Sequence, residues 1–330
     1  MHFLPELLLT VVSKYHTTNF TYKQGYLSLI GEEHIGHILE ITCFLLADHE
    51  IVTNPYISAS YVELIFYFLH DSKASMIGEV LRTNKVALRN LTFGLIRFYC
   101  VIAVTGRSNQ FYEKFKYRFY ANKIFTTLWI HEGYRQDLKN YFHTSLFEKF
   151  LNMVLTDTTY CFDETNENYD KYKQLEAKKA QGPLGQEDLK NEEMVDRIIS
   201  STLSQSTSNL KLIRDLTVWS PETFLTEADR KTAVPLLNNI LKTFVDAGAF
   251  AANPQFLLKF KFERAPALAD LVQIYGNLDV PFSLFRSTNS SRTKSWRMAV
   301  TIKESTFRKL CSGQATSITP ALTFSKNSKT

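Results

Sequence analysis

The chain has few cysteines: Cys43, Cys100, Cys161 and Cys311 are its 4, and no two of them form a Cys-x-x-Cys pair. That gives no zinc framework and fits free thiols in a reducing compartment. Glycine is scarce, at 12 of 330 residues, and neither a Gly-x-x-x-x-Gly-Lys nor a Gly-x-Gly-x-x-Gly run occurs. No phosphate-cradling loop is therefore written into the sequence, and no elbow motif sets a serine up as a nucleophile. The longest apolar run, Leu91 to Val104, contains Arg97 and is too short to cross a bilayer. The first residues, MHFLPELLLTVVSKY, lack a basic lead and carry Glu6, which argues against a signal peptide. These absences point to a soluble intracellular protein with no membrane segment and no cofactor.

Charge of one sign is missing from the end of the chain. From Arg286 onward there are nine Lys or Arg residues and a single acidic one, Glu304, a local balance of +8, so that the residues before it sum to −3 within the net +5. A basic tail can bind nucleic acid, but this one is unclustered and has no interleaved aromatics. Nucleic acid is therefore an unlikely partner, and residues 281–330 read as a basic, Ser/Thr-rich, poorly ordered tail.

What remains is helical. Alternating runs long enough for a sheet are absent, while Ile, Val and Thr recur at a 3.6-residue period. Glu33 to Asp48 places Ile35, Ile38, Leu39, Thr42, Leu45 and Leu46 on one face, and Asn54-Pro55 opens a helix holding Tyr61, Leu64, Ile65 and Phe68. Further helices are expected from Asp71-Ser72, from Tyr134 to Phe142, from Ser145 to about Glu164 and from Met194 to Trp219. Another spans Lys231 to Val245, interrupted near Pro235. Between Asn166 and Glu193 the chain is charged and poor in large aliphatics around Gly182-Pro183, so two exposed helical arms flanking a break are expected. The predicted class is all-α, an armadillo- or HEAT-like stack of degenerate helix pairs over residues 1–280.

The centre of that stack is a hairpin from Leu91 to Trp129. Its first helix is apolar on every face, and it turns at Thr105-Gly106-Arg107-Ser108, with Ser108 as N-cap of the second helix. The second helix carries Phe111, Phe115, Phe125 and Trp129 along one stripe, and Arg118 and Asn122 fall within it. A guanidinium on a buried stripe needs a partner. The anions placed to supply one are Asp157, Asp163 and Glu164, so a pairing of Arg118 with Asp157 or Asp163 is predicted. No other constellation suggests catalysis. His34 and His37 lie one turn apart beside Glu33 and Glu40, but without a third ligand a solvated face is the better reading, and no metal site is expected. Cys100 reads as an inert core thiol.

Several of these residues carry a family resemblance. FYCVIAVTGRSNQFYEKFKYRF resembles a signature of the ubiquitin chain-elongation factors, U-box proteins of the ubiquitin-fusion-degradation pathway. The pattern is met by Phe98, Tyr99, Thr105, Gly106, Ser108, Gln110, Phe111, Tyr112, Lys114, Phe115 and Arg118. NPYISASYVELIF, beginning at Asn54 and Pro55, is similar to a second family segment. FEKFLNMVLTDTTYCFDE resembles a third through Asp157, Thr158, Thr159, Asp163 and Glu164, and FKFERAPALADLVQIYGNL a fourth. The fit is poorer over Val245 to Lys259 and after Leu278. The resemblance implies the helical core of a factor that extends ubiquitin chains on tagged substrates, in the cytoplasm and nucleus. It implies partners: a ubiquitin-conjugating enzyme and ubiquitinated substrates, both through the family's U-box, an AAA ATPase of the valosin-containing type and ubiquitin-like adaptor proteins. The chain has no Asp-Pro dipeptide, which the U-box framework needs, so it is expected to be the core alone, inactive by itself as a ligase. The other reading is a non-catalytic helical platform that docks the ATPase or ubiquitin-like adaptors. Either way the motif residues are expected to be structural, with no catalytic residue among them.

Overall fold

The computed structural model describes residues 32–70, 74–102, 113–225 and 227–284, and these contain helices, turns and loops but no strand. In order the helices are α1 (Glu32–Ala47), α2 (Pro55–His70), α3 (Ala74–Thr83), α4 (Lys85–Val101), α5 (Glu113–Leu128) and α6 (Glu132–Lys139). They continue with α7 (Ser145–Gln181), α8 (Gln186–Trp219), α9 (Glu227–Val245), α10 (Pro254–Lys259) and α11 (Arg264–Leu284). The chain divides into two compact units, Met1–Leu236 and Leu237–Thr330.

In the first unit α1 packs along α4, α2 along α5, α4 also against α7, and α5 against α8. This side-by-side stacking of helices is of the armadillo or HEAT kind. Local chemistry sets where the helices begin. Asn54 accepts from the Tyr56 amide at 2.9 Å just ahead of Pro55. Asn84 accepts from the Val86 and Ala87 amides at 2.9 Å, and Thr144 from the Phe147 amide at 3.3 Å. Each satisfies a donor that the first helical turn leaves orphaned. Gly94 is required by packing: a Cβ there would lie 2.9 Å from Leu46 Cγ and 3.2 Å from the Ala47 amide. Its lack of a side chain lets α1 and α4 approach this closely. The Arg97 guanidinium reaches the Leu46 carbonyl, which the end of α1 leaves free, at 3.2 Å and the Val52 carbonyl in the loop that follows at 3.3 Å.

α7 and α8 form a long antiparallel pair joined by Gly182–Gly185. Gly182 (φ 158°, ψ −178°) sits in a region of backbone space open essentially to glycine. Along their shared inner face Tyr169, Tyr172, Leu175, Val195 and Ile199 are buried. Outside, Lys178 pairs with Asp188 at 2.6 Å and Lys179 with Glu192 at 2.5 Å.

The second unit is built on aromatic rings. Phe250 lies 5.5 Å from Phe256 and 5.8 Å from Phe262, and Phe244 lies 6.2 Å from Phe262, ring centroid to centroid. α10 ends with Lys261 at φ 51°, and the Phe262 amide donates back to the Leu257 carbonyl at 2.9 Å. That is the left-handed C-terminal turn that swings the next residue inward. The Tyr275 hydroxyl donates to Asn238 Oδ1 at 3.0 Å, tying α11 to α9.

Three boundaries differ from the sequence expectation. α7 runs on to Gln181 rather than stopping near Glu164, and α8 starts at Gln186 rather than Met194. The two exposed helical arms expected around Gly182-Pro183 are therefore present, but each continues a core helix without a break, and its charged residues face solvent because the arm has only one buried side. Pro235 lies inside α9 without ending it. Its residue is exposed, on a side where the carbonyl it leaves unpaired can meet water. Of the hairpin, the turn and the Ser108 cap lie outside the described residues, as does the tail apart from its first four residues, which complete α11.

Candidate functional site

The stripe of α5 supplies the centre of the motif cluster. Arg118 is 2% exposed, and its Nη1 donates to both carboxylate oxygens of Asp157 on α7 at 2.7 Å. Nη2 and Nε donate to the Tyr99 carbonyl on α4 at 3.1 and 3.3 Å. The guanidinium carbon lies 4.6 Å from the centroid of the Tyr99 ring, and the Tyr99 hydroxyl donates to Asp157 Oδ2 at 2.9 Å. Three helices are thus joined at one buried charge pair whose donors and acceptors satisfy each other, the condition for such a pair to hold in a low-dielectric interior. Burial pushes the Asp157 carboxyl up, against the pull of Arg118, the Tyr99 hydroxyl and Lys114. Burial also pushes the Tyr99 hydroxyl well up, and Asp157 adds to that.

The other motif residues surround this lock. Lys114, half-buried, has its ammonium pKa lowered by burial, with Asp157 opposing. Phe115 stacks on Tyr160 with centroids 5.1 Å apart and planes 6° from parallel. Thr158 is buried and donates to the Val154 carbonyl at 2.6 Å, within α7. Of the two predicted aspartates, Asp157 meets Arg118, whereas Asp163 lies on the exposed face of α7. Glu164 accepts from Asn168 Nδ2 at 3.0 Å. Asn54 and Pro55 open α2 and take no part in the lock. Gly106, Ser108, Gln110, Phe111 and Tyr112 lie outside the described residues.

A second polar node went unforeseen on its far side. Asn122, fully buried on α5, donates to Asn209 Oδ1 on α8 at 2.5 Å, and Gln205 Nε2 donates to the same oxygen at 2.8 Å. Asn122 stood out as a polar residue in an apolar stripe. Its partner, 87 positions away, carries no sequence signal. Thr165 of α7 and Thr202 of α8 meet hydroxyl to hydroxyl at 2.8 Å.

Cys43, Cys100 and Cys161 are buried free thiols, and burial pushes Cys43 up to about 12 and Cys100 up to about 11. Among the described residues no group of three or more His, Cys, Asp and Glu could hold a metal ion, and His34 and His37 are exposed on α1. Among the same residues no helix is long and apolar enough to cross a membrane.

Comparison with known proteins agrees with the resemblance read from the motifs. The family model described as the ubiquitin elongating factor core matches residues 1–328. The match therefore continues through Val245 to Lys259 and beyond Leu278, where the motifs alone fitted poorly. The chain is 33% identical over 165 residues to the Schizosaccharomyces pombe "Ubiquitin conjugation factor E4", covering 49% of this chain and 16% of that protein. It is 23% identical over 273 residues to the Saccharomyces cerevisiae "E4 ubiquitin-protein ligase UFD2", covering 75% of this chain and 28% of that protein. To the Caenorhabditis elegans "Ubiquitin conjugation factor E4 ufd-2" it is 25% identical over 271 residues, covering 77% of this chain and 26% of that protein. The chain thus corresponds to less than a third of the length of these relatives. A helical stack, locked at the motif's arginine and matched along nearly its whole length, belongs to the ubiquitin elongating factor core family.

Proposed function

We propose that this chain is the helical core of a ubiquitin chain-elongation factor and serves it as a rigid scaffold rather than as a catalyst. The observation that carries the reading is the inward orientation of the motif: Arg118, Asp157 and Tyr99 spend their polar groups on one another. Family membership places the chain among components of the ubiquitin pathway. On this reading the scaffold positions the family's U-box, through which a ubiquitin-conjugating enzyme and ubiquitinated substrates are engaged, in the cytoplasm and nucleus. A valosin-containing-type AAA ATPase and ubiquitin-like adaptor proteins are its further partners.

The test is a reconstituted reaction with activating enzyme, conjugating enzyme, ubiquitin, ATP and a mono-ubiquitinated substrate. The chain alone is expected to leave the substrate unextended but to bind the ATPase or a ubiquitin-like adaptor in a pull-down. It is also expected to form no ubiquitin thioester on a non-reducing gel. Burial pushes the Cys43 and Cys100 thiols up, to about 12 and about 11, which disfavours the nucleophilic thiolate at both. Robust chain growth or a thioester band from the chain alone would overturn the scaffold reading.

A further inference from the structure

One end of α5 and α8 has a composition that the scaffold does not use. Trp129 follows the last turn of α5, and Trp219 is the last residue of α8. Their rings meet edge to face, 6.1 Å apart at 80°. Two cations of α6 sit over the Trp219 ring: the Arg135 guanidinium carbon at 5.0 Å and Lys139 Nζ at 4.8 Å from its centroid. Beside each tryptophan an aliphatic side chain stands in solvent. Ile130 is 75% exposed and Val218 is 52% exposed.

Part of this has a structural explanation. Arg135 donates to the Trp129 carbonyl at 3.0 Å, closing the end of α5, and pairs with Glu132. Cations are favourable at a helix C-terminus, and a cation over an indole face is attracted by the ring. That account leaves Ile130 and Val218 unexplained. Lys139, in the last turn of α6, helps lower the Glu132 carboxyl pKa but makes no direct ion pair with it, Glu132 being engaged by Arg135 and Gln136. Tryptophan, arginine and exposed aliphatics in one patch make the composition of a protein-binding hot spot.

The charge and the rings also decide what fits. Single-stranded nucleic acid needs free aromatic faces on which bases stack, and here both cations lie over the Trp219 ring. What stays open is aliphatic surface beside positive charge. Lys123 and Lys211, on the same two helices, lie near enough for Lys211 to add to the burial that lowers the Lys123 pKa, so this side carries further positive charge. We propose that the Trp129–Trp219 end of α5 and α8 docks an acidic amphipathic segment of another protein, with its apolar residues against Ile130, Val218 and the indole edges and its carboxylates at Lys139 and Arg135. This face involves none of the motif residues and stands apart from the ubiquitin reading.

The test is selection from a displayed library of helical peptides with Asp or Glu at polar positions and varied aliphatic and aromatic residues at apolar ones. A matched library with Lys or Arg at the polar positions and labelled oligodeoxythymidylate are run beside it. Peptides are expected from the acidic library alone. Their affinity should drop about tenfold or more in Ile130→Glu and in Lys139→Glu, as at a hot spot, and should fall with added salt. Both positions are exposed, so each variant should keep the native fold, with a small loss of stability in Lys139→Glu from the anion placed at the end of α6, and the unfolding midpoint is measured first. No enrichment from the acidic library, recovered peptides that bind both variants as tightly as the native chain, or oligodeoxythymidylate binding lost in the same variants would each overturn the proposal.

Discussion

Helices in the first unit add several buried side-chain polar contacts to their apolar and aromatic packing, whereas the core of the second is built mainly on phenylalanine rings. Arg118–Asp157, Asn122–Asn209 and Thr165–Thr202 each tie two helices at a single register. Phe244, Phe250, Phe256 and Phe262 fill their core by volume. Apolar contact is roughly proportional to area and tolerates repacking. A buried hydrogen-bonded pair tolerates no slip, because displacing one partner strands the other in a medium that cannot solvate it. The polar unit should therefore respond to loss of one partner out of proportion to the atoms removed, and the aromatic unit in proportion to volume.

Substitutions can break that contrast, and the largest effect is expected at the charge pair. Asp157→Ala leaves Arg118 buried without its carboxylate and should cost about 3–5 kcal/mol, read as a shift in the chemical-denaturation midpoint. Next is Asn209→Leu, which strands the donors of Asn122 and Gln205 and should cost about 1–3 kcal/mol, by the same measurement. In the aromatic unit, Phe250→Leu keeps most of the buried volume and should cost about 1 kcal/mol, seen as faster amide hydrogen exchange in α9–α11. The smallest effect belongs to the arm, where Lys178→Ala removes an exposed ion pair and should change stability by less than about 0.5 kcal/mol. A loss at Lys178 as large as that at Asp157 would erase the distinction between lock and surface.

Which of these features could be read beforehand follows from what each depends on. Helix positions and the all-α class rest on local periodicity, and Glu33–Asp48 was placed to within a residue or so of α1. Arg118 announced itself because a guanidinium in a stripe of Phe115, Phe125 and Trp129 has no cheap solution. Its candidate partners were few and anionic, so Asp157 was among them. Asn209 was invisible because an amide can pair with almost any polar group, and α8 offers many. Helical arms around Gly182-Pro183 were legible, but a two-helix projection buries only one stripe, so nothing in the pattern showed that each arm runs unbroken into the core part of α7 or α8. The Trp129–Trp219 face depends on two helix ends meeting, which no local pattern encodes.

On the scaffold reading the family's arginine signature is architecture. A double-mutant cycle tests it most directly, with Arg118→Met and Asp157→Leu made singly and together and unfolding measured by denaturant titration. If the pair is a structural lock, each single variant loses about 3–5 kcal/mol while the double variant returns to within about 1 kcal/mol of the native chain, since a well-packed apolar pair can replace a buried salt bridge. Single variants as stable as the native chain, or a double variant that loses the sum of both, would contradict it.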